Sequence, residues 1–171
     1  MSNHLLPTYF IPHGGGPCFF MDWPGDPHMW DRMAEFLRSI GQQSTPRPKA
    51  ILIVSGHWEE AEFTVGATQQ PSLIYDYYGF PEHTYQLSYP APGAPDLAER
   101  VKTLLTTAGI SVRSDDTRGW DHGVFIPLKV MFPDANIPVL QLSMKKGLDP
   151  AAHLRAGQAL HALREEGVLI V

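Results

Sequence analysis

A chain of 171 residues, 43% hydrophobic and 18% charged, has the make-up of one globular domain and excludes both a disordered segment and a pair of ordinary domains. A formal net charge of -5, with Lys145-Lys146 as its basic doublet, argues against a broad nucleic-acid or anionic-membrane surface. No apolar run approaches the roughly 20 residues of a membrane helix, the start Met-Ser-Asn-His-Leu-Leu-Pro lacks a secretory pattern, and the single Cys18 allows no internal disulfide, so a cytoplasmic location is expected.

In chain order, Tyr9-Phe10-Ile11 reads as a short strand running into Pro12-His13 and three glycines. Asp26-Pro27 is a helix-start signal, and Met29, Trp30, Met33, Phe36, Leu37 and Ile40 recur at helical steps, which predicts an amphipathic helix over 27–40 stopped by Gly41. Residues 51–58, Ile-Leu-Ile-Val-Ser-Gly-His-Trp, open with four branched apolar side chains and predict a central strand buried on both faces. That strand is expected to stop at Ser55-Gly56 and leave His57 just past its carboxyl end, where open α/β sheets bind ligands.

A weakly alternating strand is expected over 62–67. Residues 71–95 carry Tyr75, Tyr77, Tyr78, Phe80, Tyr85 and Tyr89 among prolines and glycines with no regular period, which fits either a pocket wall or an irregular satellite core. A second amphipathic helix follows over 95–108, with Leu97, Val101, Leu104, Leu105 and Ala108 inward and Gly109 as its stop. A strand is expected over 110–113, then a polar loop holding Asp121-His122-Gly123, a short apolar helix over 124–131, and a buried strand over 137–143. Asp149-Pro150 caps a last helix reaching about Glu166, with Leu154, Leu160 and Leu163 inward, and 168–171 begins another strand. The alternation of strands and helices predicts an α/β fold, a layered and mainly parallel sheet with helices on both faces, in a single catalytic domain over 1–171.

Of the eight histidines, His4, His28, His153 and His161 read as surface or packing residues, and His83 as a loop residue facing solvent or substrate. His13, His57 and His122 differ, because each follows a strand or closes a glycine-containing loop with little bulk to block approach. If the first two strands lie parallel in one sheet, His13 and His57 emerge at one edge, and two convergent imidazoles suggest a metal site with open positions. Gly14-Gly15-Gly16 matches neither a phosphate loop nor the dinucleotide fingerprint. An esterase oxyanion loop would need a Gly-x-Ser-x-Gly elbow, which this chain lacks.

Five ordered motifs narrow the field: Pro12-His13-Gly14-Gly15-Gly16-Pro17, Val54-Ser55-Gly56-His57-Trp58, Tyr75-Asp76-Tyr77-Tyr78-Gly79-Phe80-Pro81, Tyr89-Pro90-Ala91-Pro92-Gly93 and Trp120-Asp121-His122-Gly123. Together they resemble the DODA-type class III extradiol ring-cleaving dioxygenases, which are similar to the catalytic subunit of protocatechuate 4,5-dioxygenase. The resemblance implies one mononuclear non-haem Fe(II) or Zn(II) site, with His13 and His57 as metal ligands and His122 as the acid/base histidine. It also implies Tyr75 and Asp121 as substrate-binding residues, with a small aromatic diol and O2 as partners and neither nucleic acid nor membrane. The family's further histidine and its last metal ligand lie beyond the strand matching 168–171, so the chain is expected to be an amino-terminal portion with the carboxyl-terminal part of the family domain missing. Two rival expectations are an inactive fragment or binding module that keeps the fold, and a zinc-dependent hydrolase using the same histidines.

Overall fold

The computed structural model describes residues 5–171. Its centre is β1 (Ala50–Glu60), flanked on one side by β5 (Val168–Ile170) and on the other by β4 (Val139–Lys145), then β2 (Phe63–Gly66) and β3 (Val112–Asp115), in the order β3-β2-β4-β1-β5. β4 and β5 run parallel to β1, while β2 and β3 are parallel to each other and β2 is antiparallel to β4. The α/β, mainly parallel sheet expected from the sequence is therefore present.

Helices cover both faces for the reason the strand composition gives. Ile51 and Ile53 point to one side, where α1 (Asp31–Gln43) and α3 (His122–Met131) supply Leu37, Ile40, Phe125 and Leu128 to the core. Leu52 points to the other side, where α2 (Pro95–Thr107) and α4 (Pro150–Leu160) supply Val101, Leu105, Ala156 and Leu160. A strand buried on both faces cannot alternate in polarity, and β1 does not until Val54.

Several boundaries differ from the sequence reading. Tyr9-Phe10-Ile11 forms no strand; Thr8 makes one bridge to Ile170, with the Tyr9 N–H donating to the Ile170 carbonyl at 2.9 Å. Pro7 and Pro12 lack the N–H donors that a longer ladder needs. The first helix begins at Asp31, after an Asp26 turn in which the His28 N–H meets the carboxylate at 2.9 Å. It runs through Gly41, where α3 crosses so close that a Cβ would strike the Met131 carbonyl. Met29 and Phe36 are exposed, since the buried face of α1 is Ala34, Leu37 and Ile40.

Leu154 is likewise exposed, and α4 seats itself through Ala152, Ala156 and Leu160, whose small alanines let the helix lie against the sheet side of α2. Its expected cap holds: the Asp149 carboxylate accepts from the Ala151 and Ala152 N–H groups at 3.1 and 3.2 Å. Residues 71–95 contain one 3-10 turn, Glu82–Gln86; Tyr77 and Tyr89 are buried, Tyr75, Phe80 and Tyr85 pack half-buried against the same core, and Tyr78 is exposed.

Candidate metal centre

β1 does not stop at Ser55. Its register with β4 slips between Val54 and Glu59, so Ser55, Gly56, His57 and Trp58 leave the ladder in a bulge before pairing resumes. The bulge turns His57 out toward the rim, and the Ser55 hydroxyl takes over as acceptor for the His57 N–H at 3.1 Å. His13 approaches from the irregular segment beside β5, and His122 is the first residue of α3.

These three segments meet. The ligand nitrogens of His13, His57 and His122 all lie within 4.8 Å of one another. Nε2 of His13 and Nε2 of His57 are 2.9 Å apart, and the rings of His57 and His122 are centred 4.1 Å apart. His57 is exposed, His13 half-buried and His122 buried, so the cluster has a closed floor and an open mouth. A cleft of about 780 Å³, lined by His13, Trp30, Ser55, Gly56 and Gly123 among others, opens beside it.

The donor set fits a metal ion. Nδ1 of His13 is buried without a hydrogen-bond partner. Burial first, and then the neighbouring His122 and His57, hold the His13 imidazole down at about 4, so it is neutral and available as a ligand at neutral pH. Tetrahedral zinc with bonds near 2.0–2.1 Å would separate two imidazole nitrogens by roughly 3.3 Å, a few tenths from the His13–His57 spacing.

Two carboxylates organise the cluster from behind. Asp76 accepts from both the His122 backbone N–H at 2.9 Å and ring Nδ1 at 2.7 Å, through the same oxygen. That contact assigns the proton to Nδ1 and leaves Nε2 of His122 as the free nitrogen. Burial works to raise the Asp76 carboxyl, but the two His122 hydrogen bonds outweigh it and leave it below its ordinary value. Asp76 belongs to the Tyr75–Pro81 motif, but the sequence assigns it no role of its own, since between two tyrosines in an aperiodic segment nothing local points to His122 as its partner.

Asp121 is 1% exposed and accepts from the Ser55 hydroxyl at 2.6 Å, Gln141 Nε2 at 2.6 Å and Arg118 Nη2 at 3.1 Å. Its oxygens are committed to protein groups under the cluster, whereas the resemblance implies a substrate-binding role for it. Tyr75, for which the resemblance implies the same role, donates its hydroxyl to the Leu87 carbonyl and packs its ring on Phe125 at 5.6 Å. The aromatic ring beside the cluster is Tyr77, edge-on to His122 at 5.8 Å.

Gly123 explains the last letter of its motif. A Cβ there would lie 2.7 Å from the Ser55 hydroxyl and 2.8 Å from Cδ2 of His57, so only glycine lets α3 start against the bulge. The remaining described histidines serve elsewhere: His28 pairs with the exposed Asp31, His83 faces the Phe20 carbonyl, His153 bridges Asp149 and Lys145, and His161 begins an exposed turn. His4 lies outside the described residues.

The mainly parallel α/β sheet is the fold the five motifs implied, and comparison with known families supports the family they resemble. Residues 7–171 match the family described as the catalytic LigB subunit of aromatic ring-opening dioxygenase, and the chain belongs to it, within the DODA-type class III extradiol group. It is 42% identical to a 4,5-DOPA dioxygenase extradiol of Beta vulgaris over 99% of the chain and 62% of that protein. It is 41% identical to the dioxygenase tasH of Hapsidospora irregularis over 98% of the chain and 52% of that protein. An uncharacterised Escherichia coli K12 protein of known crystal structure superposes with a TM-score of 0.66 at 38% identity, over 81% of this chain and 50% of that one. The chain thus spans about half to three-fifths of the length of these relatives.

Proposed function

We propose that this chain carries the metal-binding rim of an extradiol dioxygenase that opens the ring of a catechol-type substrate with O2. The observation that carries the reading is the convergence of His13, His57 and His122, from three separate segments, within 4.8 Å. His13 and His57 would hold one Fe(II) or Zn(II) ion; of the two, Fe(II) supplies the electron path from a chelated catecholate to dioxygen. The family's relatives bear names of ring-opening enzymes, which favours an aromatic diol over an ester or amide.

His122 would act as the acid/base. With Nδ1–H fixed by Asp76, its Nε2 faces the other two imidazoles and can take a proton from a catechol hydroxyl arriving at the rim. Asp76 then stabilises the resulting imidazolium, as a carboxylate behind a general base does. The cleft beside His13, with Trp30 on its wall, offers an apolar seat for a planar ring. Deprotonation is the step these side chains perform; the diol must lose its protons before it can chelate.

A second reading of one residue has its own support: the His122 ring is as close to the cluster as the other two, so it is a candidate third ligand. Metal analysis separates the roles. His57→Ala is expected to lower metal content, and unchanged stoichiometry would remove the metal assignment. His122→Ala is expected to keep metal and lose oxygen uptake with a catechol; loss of metal instead makes it a ligand. Ester turnover without O2 consumption would favour a zinc hydrolase.

A further inference from the structure

The polar network beneath the rim joins two of the three histidines, and nothing in the site chemistry above uses it. Asp121 sits immediately before His122, and its backbone carbonyl accepts from Val124 and Phe125 as the first turn of α3 forms. One carboxylate oxygen receives the Ser55 hydroxyl proton, and the same hydroxyl oxygen accepts the His57 N–H. The other oxygen is held by Gln141 of β4, 2% exposed, and by Arg118, whose guanidinium lies over the buried Trp58 ring at 4.6 Å. The hydroxyl oxygen of Ser55 therefore stands between the start of α3 and the bulge of β1.

From this arrangement we infer that Asp121 is a positioning residue: through Ser55 it sets the height of the His57 bulge relative to His122. This rests on the metal reading of the rim and deepens it. A bulge has lost its ladder partners, so its conformation must be fixed by other bonds, and Ser55 supplies the acceptor that β4 does not. Gln141 and Arg118 orient the carboxylate so that one oxygen is left for Ser55. The bond geometry passes from helix start to carboxylate to hydroxyl to the His57 backbone without crossing solvent, because Ser55, Asp121 and Gln141 are all buried.

The test is zinc titration of the chain by calorimetry together with amide hydrogen exchange at His57, in wild type, Ser55→Ala, Asp121→Asn and the double variant, with His57→Ala defining the site titrated. Ser55→Ala is expected to keep a cooperative melt, weaken zinc binding about ten-fold and speed exchange of the His57 amide. The double variant is expected to bind no more weakly than Asp121→Asn alone, since both changes remove one link. Additive losses, or a His57 amide unchanged in Asp121→Asn, overturn the inference. If wild type takes up no zinc, the metal reading falls, and the His57 amide alone decides the link. Should Ser55→Ala fail to fold, the same two readouts in Asp121→Asn decide it.

Discussion

Two polar clusters lie one above the other in this molecule, and they are built on opposite rules. In the lower one both oxygens of Asp121 are taken up by Ser55, Gln141 and Arg118. In the upper one three imidazoles face each other with no carboxylate among their ring nitrogens on the open side, and Nδ1 of His13 has no partner. A buried carboxylate with both oxygens bonded holds a fold in register, even though Gln141 Oε1 and Arg118 Nε beside it lack partners, whereas convergent imidazoles are what a cation requires. Stability should therefore reside below and ligand binding above.

The largest expected effect tests the lower cluster. Asp121→Ala strands the Ser55 hydroxyl, the Gln141 amide and the Arg118 guanidinium, and is expected to cost about 3 kcal/mol in urea unfolding. A loss below about 1 kcal/mol would erase the contrast between the clusters. Gly123→Ala acts at the boundary: its new methyl meets Ser55 and the His57 ring, so a loss of about 2 kcal/mol together with weaker metal binding is expected. If the variant binds metal as wild type does, the bulge tolerates displacement and His57 is not held by contact.

A smaller effect concerns groups that the fold keeps neutral. Burial raises the Cys18 thiol from 9.0 to about 11 and also raises the Tyr89 hydroxyl well above its ordinary value. Both stay protonated in the fold at pH values where the unfolded chain would release the proton. The Cys18 contribution is complete below about pH 9 and is lost as pH rises through 11, with that of Tyr89 lost at higher pH still, so the urea midpoint should fall from about pH 9 upward. A midpoint that rises there would contradict the burial of both groups. The smallest effect belongs to the upper cluster: His57→Ala, at an exposed position, is expected to change metal-free stability by no more than about 0.5 kcal/mol while lowering metal content. A large destabilisation would make His57 a packing residue.

Much of the scaffold was legible. Apolar runs of four, helical spacing and Asp-Pro or glycine punctuation located α2 and β4 to within two residues and the starts of β1 and α4, because each signal is local, while β1 runs on to Glu60 and α4 ends at Leu160 in a 3-10 turn. The face a helix buries was less legible. Phe36 and Leu154 fit a helical stripe in the sequence, yet the close crossing at Gly41 and the alanine seat of α4 chose the neighbouring faces. Backbone distance between elements decided those cases, and no window of sequence contains it.

The site divides along the same line. Residue type and local context singled out His13, His57 and His122 as candidates, because each stands beside a glycine with little bulk to block approach. Their meeting within 4.8 Å, the bulge that delivers His57, the Asp76 oxygen behind His122 and the enclosure of Asp121 were decided only by tertiary structure. The physical reason is range: an amino acid's chemistry travels with it along the chain, but which lone pairs remain unpaired depends on partners 46 to 66 residues away.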